Sequence, residues 1–592
     1  MSARRAAGVF LGCSFTLLLV AAAPRAVWFE DLAGSLELDD RDGEAIVRAV
    51  AQALAAGKAG LGDLPPEWAK DRKPRVVFLA ASQGRRCART STGSGAGLRA
   101  ALEDAVARLR RRGVAGSRWL RVDVVRGPGR RVSYVPGKRL ALDRELEGVA
   151  FPRDLGVAFL PAELVAHTIL NTGGELVERN VEKALRRRGA APDERPRSVA
   201  KRPVEVSAFT TAAFFLGDGR FRRIYRGHQV VEKATPELVL EAAREAADYL
   251  RRATGDSGKF AYVYLPKQDV EARKYNLVRH AGAAYSMLEL HEVAPDRELL
   301  EAARRALAYL LDHVEDFRDD GRMAMLVSDD KVKLGGVALT LLALAKHVQV
   351  TGERQRLPLM RKLARYIRHS QLADGKFISQ RRYPSMAVRE DFESEYYPGE
   401  AILSLLRLHA LDPQEAWLDG AEKGARYLIQ VRDAKVSTLK LLHDHWLLYA
   451  LNELHRLRPD EIFLRQAMRI SRAITAGQNR SPRFPDQLGS YYTPPRSTPT
   501  ATRTEGLLAA HALARDHGKR DDAARILEAV RLGIRFQLEM QFAPERVLFL
   551  DDPGRTLGGY PRSFSNYEVR IDYVQHNISS LLGYYRLLRA GE

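Results

Sequence analysis

Six short stretches of this 592-residue chain concentrate side chains that move protons, hold anions or stack on flat rings. They read RKYNLVRHAG (273–282), SDDKVKLGG (328–336), EDFESEYYPGEA (390–401), HDHW (443–446), TRTEG (502–506) and YEVRIDYVQHN (567–577). Proton transfer needs groups that titrate near neutrality or are pushed there, which nominates His280, Glu400, Asp444, Glu505 and Asp572 as catalytic. Tyr275, Arg279, Glu395, Tyr396, Tyr397, His445, Trp446, Arg503, Arg570, Tyr573 and His576 are the substrate-binding candidates. Aromatic faces suit pyranose rings, polar groups suit hydroxyls, and guanidinium binds carboxylate in a bidentate fork. Arg279, Arg503 and Arg570, with Lys331 and Lys333 beside them, therefore point to an anionic glycan.

The reaction stays open. A hydrolase draws two carboxylates from Glu400, Asp444, Glu505 and Asp572. A lyase or epimerase needs a base at a carbon next to a carboxylate and a sink for the resulting charge, roles that His280, Tyr396 or Tyr397 and the arginines fill. Each group also has a structural alternative: Arg279 ion-paired with Glu395 or Glu400, His280 hydrogen-bonded in a core, Tyr396 and Tyr397 capping that core, Trp446 packed between helices. No metal and no cofactor are expected, because His443 and His445 are two residues apart and share no helix face.

All six stretches sit at one place in a repeat. Segments 241–250, 301–310, 359–367, 420–429, 466–474 and 528–536 carry small and apolar residues at helical spacing. Their anchors Tyr249, Tyr309, Tyr366, Tyr427, Ala473 and Phe536 follow one another at steps of 46 to 63 residues. Between them lie less charged segments: 276–290, 334–348, 399–411, 445–457, 504–514 and 573–588. Charged-faced helices belong outside and all-round apolar ones inside. The expected fold is mainly α: an (α/α)6 toroid of six helical hairpins over 235–592, preceded by a smaller α+β domain over 27–230 and a signal peptide over 1–26. Thr235 and Asp296 are expected N-caps, Gly255, Gly321 and Gly375 expected turns, and the loops entering the inner helices form one rim.

With these residues in place, the chain resembles six-hairpin glycosidases, uronate epimerases, polysaccharide lyases and sugar 2-epimerases over residues 235–592. Gln371-Leu372-Ala373-Asp374-Gly375-Lys376-Phe377 resembles the Q-x-x-D-G-x-aromatic turn of terpenoid-cyclase-type toroids. The first resemblance implies a toroid and a carbohydrate substrate but not one reaction; the second implies architecture only.

In the N-terminal region 75–80, 119–126 and 204–209 read as strands, 97–112 and 178–188 as helices, and 214–225 as a hairpin turned at Gly217-Asp218-Gly219. Their order faintly resembles the AMMECR1-like α+β domain, but Arg85-Arg86-Cys87-Ala88-Arg89 stands where R-G-C-I-G is expected, so no activity is implied. Gly93-Ser94-Gly95-Ala96-Gly97 reads as a flexible loop, and 186–202 as an exposed, Arg-rich one. Cys87, flanked by arginines, is a minor candidate nucleophile if exposed.

Arg4 and Arg5, the apolar run from Val9 to Ala22 and the alanines at 21–23 read as an export signal, giving a periplasmic or secreted protein, or a membrane-anchored one if uncleaved. No later segment reads as a bilayer span. Cys13 and Cys87 alone exclude a disulfide scaffold and a Cys-based zinc module. Lys and Arg total 94 against 74 Asp and Glu, a net +20, and 45% of residues are hydrophobic, which excludes disordered and fibrous classes. Interspersed acids on the outer helices argue against nucleic acid. The leading function is an exported carbohydrate-active enzyme; the alternative is a non-catalytic glycan-binding or scaffold protein of the cell envelope.

Overall fold

The computed structural model describes residues 27–57, 60–62, 64–188, 202–317 and 321–592. The expected signal over 1–26, most of the Arg-rich loop and Asp320 lie outside the described residues.

Six outer helices alternate with six inner ones. The outer set is Pro236–Ala253, Arg297–Leu311, Leu357–His369, Glu415–Tyr427, Glu461–Ala476 and Arg520–Met540. The inner set is Leu277–Val293, Leu334–Thr351, Tyr397–Leu411, His445–Leu457, Ser497–Asp516 and Ile571–Arg589. Each inner helix packs on the next, and the sixth packs on the first, so the expected (α/α)6 toroid is closed. Amphipathicity sorts the two sets. The second outer helix buries Leu299, Ala302, Ala303, Ala306, Leu307 and Leu310 on one stripe, whereas the second inner helix is buried continuously from Leu334 to Val348. That inner helix is the one among the described residues long and apolar enough to cross a membrane, a segment the sequence reading passed over. Here the ring itself surrounds its apolar faces.

A repeated staple fastens four of the six connections to the next outer helix. Gly258, Gly375, Gly489 and Gly558 all have positive φ and lie so close to the following outer helix that a Cβ would overlap the carbonyls of Arg305, Lys423, Leu532 and Glu245 respectively. Gln371, Gln478 and Gln541 donate to the carbonyls of Gly420 (3.0 Å), Ala529 (2.8 Å) and Ala242 (2.8 Å). The Q-x-x-D-G turn seen at 371–375 is thus one instance of a recurring device whose last member reaches back to the first outer helix. Gly258, rather than the expected Gly255, is the left-handed residue of the first connection. Thr235 and Asp296 cap their helices as expected, accepting from the N–H groups of Leu238 and Leu299.

Residues 27–230 carry two antiparallel sheets. One has six strands in the spatial order 228–229, 220–225, 211–217, 119–125, 74–82, 89–96, with helices Asp40–Ala55 and Leu98–Arg111 against it. The other orders 130–134, 204–209, 148–150, 158–159. The expected strands, helices and hairpin are present, and helix 40–55 was not anticipated. Gly93 to Ala96 form the end of strand Arg89–Ala96 rather than a flexible loop. A Cβ at Gly93 would overlap the backbone of Ala101, so these glycines let strand and helix meet closely. Cys87 is turned inward, its Sγ 3.4 Å from Phe549 O, and burial pushes its thiol up to about 12, which removes it as a nucleophile. One apolar cluster runs from Phe29, Phe78 and Phe209 into Val239 and Tyr249 of the ring.

Candidate active site

The loops entering the inner helices form a rim around a cavity of about 450 Å³. Of the sequence-predicted residues, Arg279, Tyr396, Tyr397, Glu400, His445, Trp446, Arg503, Arg570, Asp572, Tyr573 and His576 line it. Five arginines and three carboxyl groups share its wall, the arginines being 279, 496, 503, 562 and 570 and the acids Glu400, Glu568 and Asp572.

His280 is a correction. It follows Arg279 by one residue, and successive helical side chains point about 100° apart, so only one of them faces the cavity. His280 is fully buried toward the second outer helix, with Nε2 2.7 Å from Ala306 O and Nδ1 2.7 Å from the Tyr275 hydroxyl. Burial lowers its pKa to about 4. Tyr275 also leaves the substrate-binding set, since its hydroxyl accepts from Phe260 N–H (3.1 Å) as well as meeting His280. Glu395 is exposed at the rim outside the cavity wall, and Lys331 and Lys333 lie in a strand that does not line it.

Two of the acids sit behind the wall. Asp444 caps the fourth inner helix, accepting from Leu447 N–H (3.0 Å), with its other oxygen buried and unpartnered. Burial pushes it up to about 7, against the pull of Arg432. Glu505 is buried and accepts from His576 Nδ1 (2.8 Å), and burial pushes it up to about 7 against the imidazole. Glu400 faces the cavity from the third inner helix, where its Oε2 lies on the bare backbone of Gly335 with no hydrogen-bond partner. Burial first, then the Asp444 carboxyl, pushes Glu400 up to about 8, with Arg279 opposing. At neutral pH it carries a proton.

Asp572 is clamped. Arg279 Nε reaches one oxygen (3.0 Å), and Arg570 bonds both (2.5 and 2.8 Å). The expected pairing of Arg279 with Glu395 or Glu400 is therefore replaced by one with Asp572. Arg503 is held by His443 Nδ1 (2.7 Å), Pro499 O (2.9 Å) and Tyr492 Oη (3.1 Å). It forms no ion pair among the described residues.

At the cavity wall two imidazoles meet. His445 and His576 have ring centroids 5.2 Å apart at 81°, and neither His445 nitrogen has a hydrogen-bond partner. Burial keeps His445 well below its ordinary pKa, hence neutral. His445, Glu505 and His576 offer three ligand atoms within 4.8 Å of one another, a set able to hold a small cation. Local spacing did not show it, because the three residues come from three different inner helices.

No family model matches the chain, and no curated protein is similar to it. Solved structures similar to it include a sugar epimerase from a ruminal bacterium, 14% identical, covering 59% of this chain and 98% of that one with a TM-score of 0.43. An unsaturated glucuronyl hydrolase specific for heparin is 13% identical over 60% and 98% of the two chains, TM-score 0.44. Cellobiose 2-epimerase from Bacillus thermoamylovorans is 12% identical over 59% and 98%, TM-score 0.45. At these identities the likeness concerns fold.

The sequence reading missed Tyr492, Arg496, Arg562, Glu568 and Gln575 on the wall. The fifth inner helix begins at Ser497, not near 504, and that earlier start carries Tyr492 and Arg496 to the rim. Ser497 with Pro499 two residues on was the available start signal. Replacing Asp572 with alanine leaves two guanidiniums facing each other, and denaturant titration is expected to show a loss of about 2 kcal/mol.

Proposed function

We propose that this protein is a carbohydrate-active enzyme that moves a proton at a sugar carbon next to a carboxylate or carbonyl, by general acid/base chemistry in the ring cavity. One observation carries the reading: a neutral, unpartnered His445 stands beside His576, which Glu505 backs from behind, on a wall rich in arginine and tyrosine. His445, acting as base, takes the proton from carbon. The electron pair left behind moves onto the adjacent carboxylate or carbonyl, and Arg503 and the neutral Glu400 hold the resulting enolate. Return of that proton to the opposite face of the planar enolate gives the inverted sugar; departure of a leaving group from the neighbouring carbon, taking its bonding pair and that proton, instead gives an unsaturated one. The unpaired Arg503 and the surplus of arginine favour an anionic glycan.

Hydrolysis is the second reading, and the protonated Glu400 favours it, since a glycosidase needs a carboxylic acid beside a carboxylate. The partner is harder to supply. Both Asp572 oxygens are occupied by guanidiniums, and Glu505 lies behind His576.

The test is incubation with a panel of uronate and neutral glycans. Deuterium uptake from solvent without chain cleavage, or absorbance of unsaturated uronates, supports the proton-transfer reading. New reducing ends alone support hydrolysis, and silence in every channel supports the non-catalytic glycan-binding alternative. Turnover is expected to survive exhaustive chelation; a loss restored by a divalent cation would make the His445, Glu505 and His576 set a metal centre instead. Export, read from residues 1–26, is part of the same proposal, and fractionation of the producing cells checks it.

A further inference from the structure

A second cavity, also of about 450 Å³, lies in the seam between the ring and residues 142–172. Leu142, Leu164 and Leu170 form one side, and Leu265, Pro266 and Tyr567 the other. It adjoins the first cavity at Glu568, which lines both and accepts from the Tyr573 hydroxyl (2.9 Å).

Lys267 and Arg144 are the cations of this wall without an ion pair among the described residues. Lys267 Nζ donates to Ser565 O (2.8 Å) and lies 4.6 Å from the Tyr567 ring centroid. The other charges on the wall have partners, except the Glu568 carboxylate, which meets only the Tyr573 hydroxyl. Arg144 bonds the carbonyls of Asn171 (2.7 Å) and Thr172 (2.9 Å), Glu145 pairs with Arg226, and Glu147 pairs with Arg130 (2.8 Å). Burial lowers Lys267 to about 8, so at neutral pH it is still an ammonium, with donor capacity left over in a largely apolar pocket. Leu142, Leu164, Leu170 and Leu265 around a cation without an ion pair match an acidic pyranose: an apolar face, and a carboxylate at its edge.

We infer that the seam cavity is a second sugar subsite, in which Lys267 binds the carboxylate of a further acidic unit of the same glycan. The substrate then spans several units, entering the ring cavity past Glu568, and residues 142–172 take part in recognising it. This rests on the anionic-glycan reading above.

Calorimetric titration with galacturonate oligomers of two and six units tests it without requiring turnover. The parent is expected to bind the hexamer about tenfold more tightly than the dimer, the gain of one charged contact. Lys267→Met should remove that gain and leave dimer affinity unchanged, while Lys267→Arg should keep it. A hexamer that binds no better than the dimer, or a gain that survives Lys267→Met, overturns the second subsite and leaves the first-cavity reading standing. Failure of both oligomers to bind, or a dimer affinity insensitive to Arg503→Ala, overturns the anionic-glycan reading itself and the subsite with it.

Discussion

His445→Ala is expected to cut turnover at least about a thousandfold and to cost about 2 kcal/mol of stability, because general-base contributions run to about that size while the buried ring is packed but makes no hydrogen bond. Neither of its nitrogens is hydrogen-bonded, so truncation orphans no buried polar group. Its neighbours Trp446 and His576 keep the Tyr449 ring and the Glu505 carboxylate respectively. The control is His280→Ala, which leaves the Tyr275 hydroxyl and Ala306 carbonyl without their partner in a fully buried site. That variant should lose about 3 kcal/mol of stability and retain the turnover of whatever fraction folds. Thermal unfolding measured beside initial rates separates the two. If the folded fraction of His445→Ala keeps its rate, the base is elsewhere.

Glu400→Gln should lower turnover about a hundredfold and also change how stability depends on pH. The folded state holds the Glu400 proton up to about pH 8, whereas an unfolded chain releases it near about pH 4.3. Between those values the folded state binds more protons than the unfolded one, so parental stability falls as pH rises through the window. Glutamine copies the protonated form and has nothing to release. The variant should therefore match the parent near about pH 4 and gain on it progressively until about pH 8, where the difference levels off. In the rate profile the parent should lose activity above about pH 8, and the variant should lack that limb. Circular-dichroism melts across pH, with rates on the same samples, read both effects. A constant stability difference would mean that Glu400 is ionised in the fold.

The ring was legible because its helices obey a period that survives changes in side chain, and because buried and exposed helices differ in composition along their whole length. Most of the cavity wall followed from that, since any residue just before an inner helix must lie at the rim. The failures came from direction and distance in sequence. Arg279 and His280 are neighbours in the chain and point about 100° apart on the same helix, a difference that residue type cannot show. The Glu505–His576 pair bridges two helices 71 residues apart. Gln371, Gln478 and Gln541 are polar residues in otherwise unremarkable loops, and only their shared aim at the next outer helix reveals the staple.

The last staple bears on how the chain is made. Gln541 reaches the carbonyl of Ala242 across 299 residues, and Gly558 seats on the same helix. While the ribosome is still adding residues up to that point, the first outer helix lacks this fastening, and the first inner helix lacks its sixth neighbour until 571–589 emerge. Closing so long a loop costs entropy before any contact rewards it. The core thus cannot be sealed until residues 571–589 have been made, and until then the partial ring leaves apolar helix faces open.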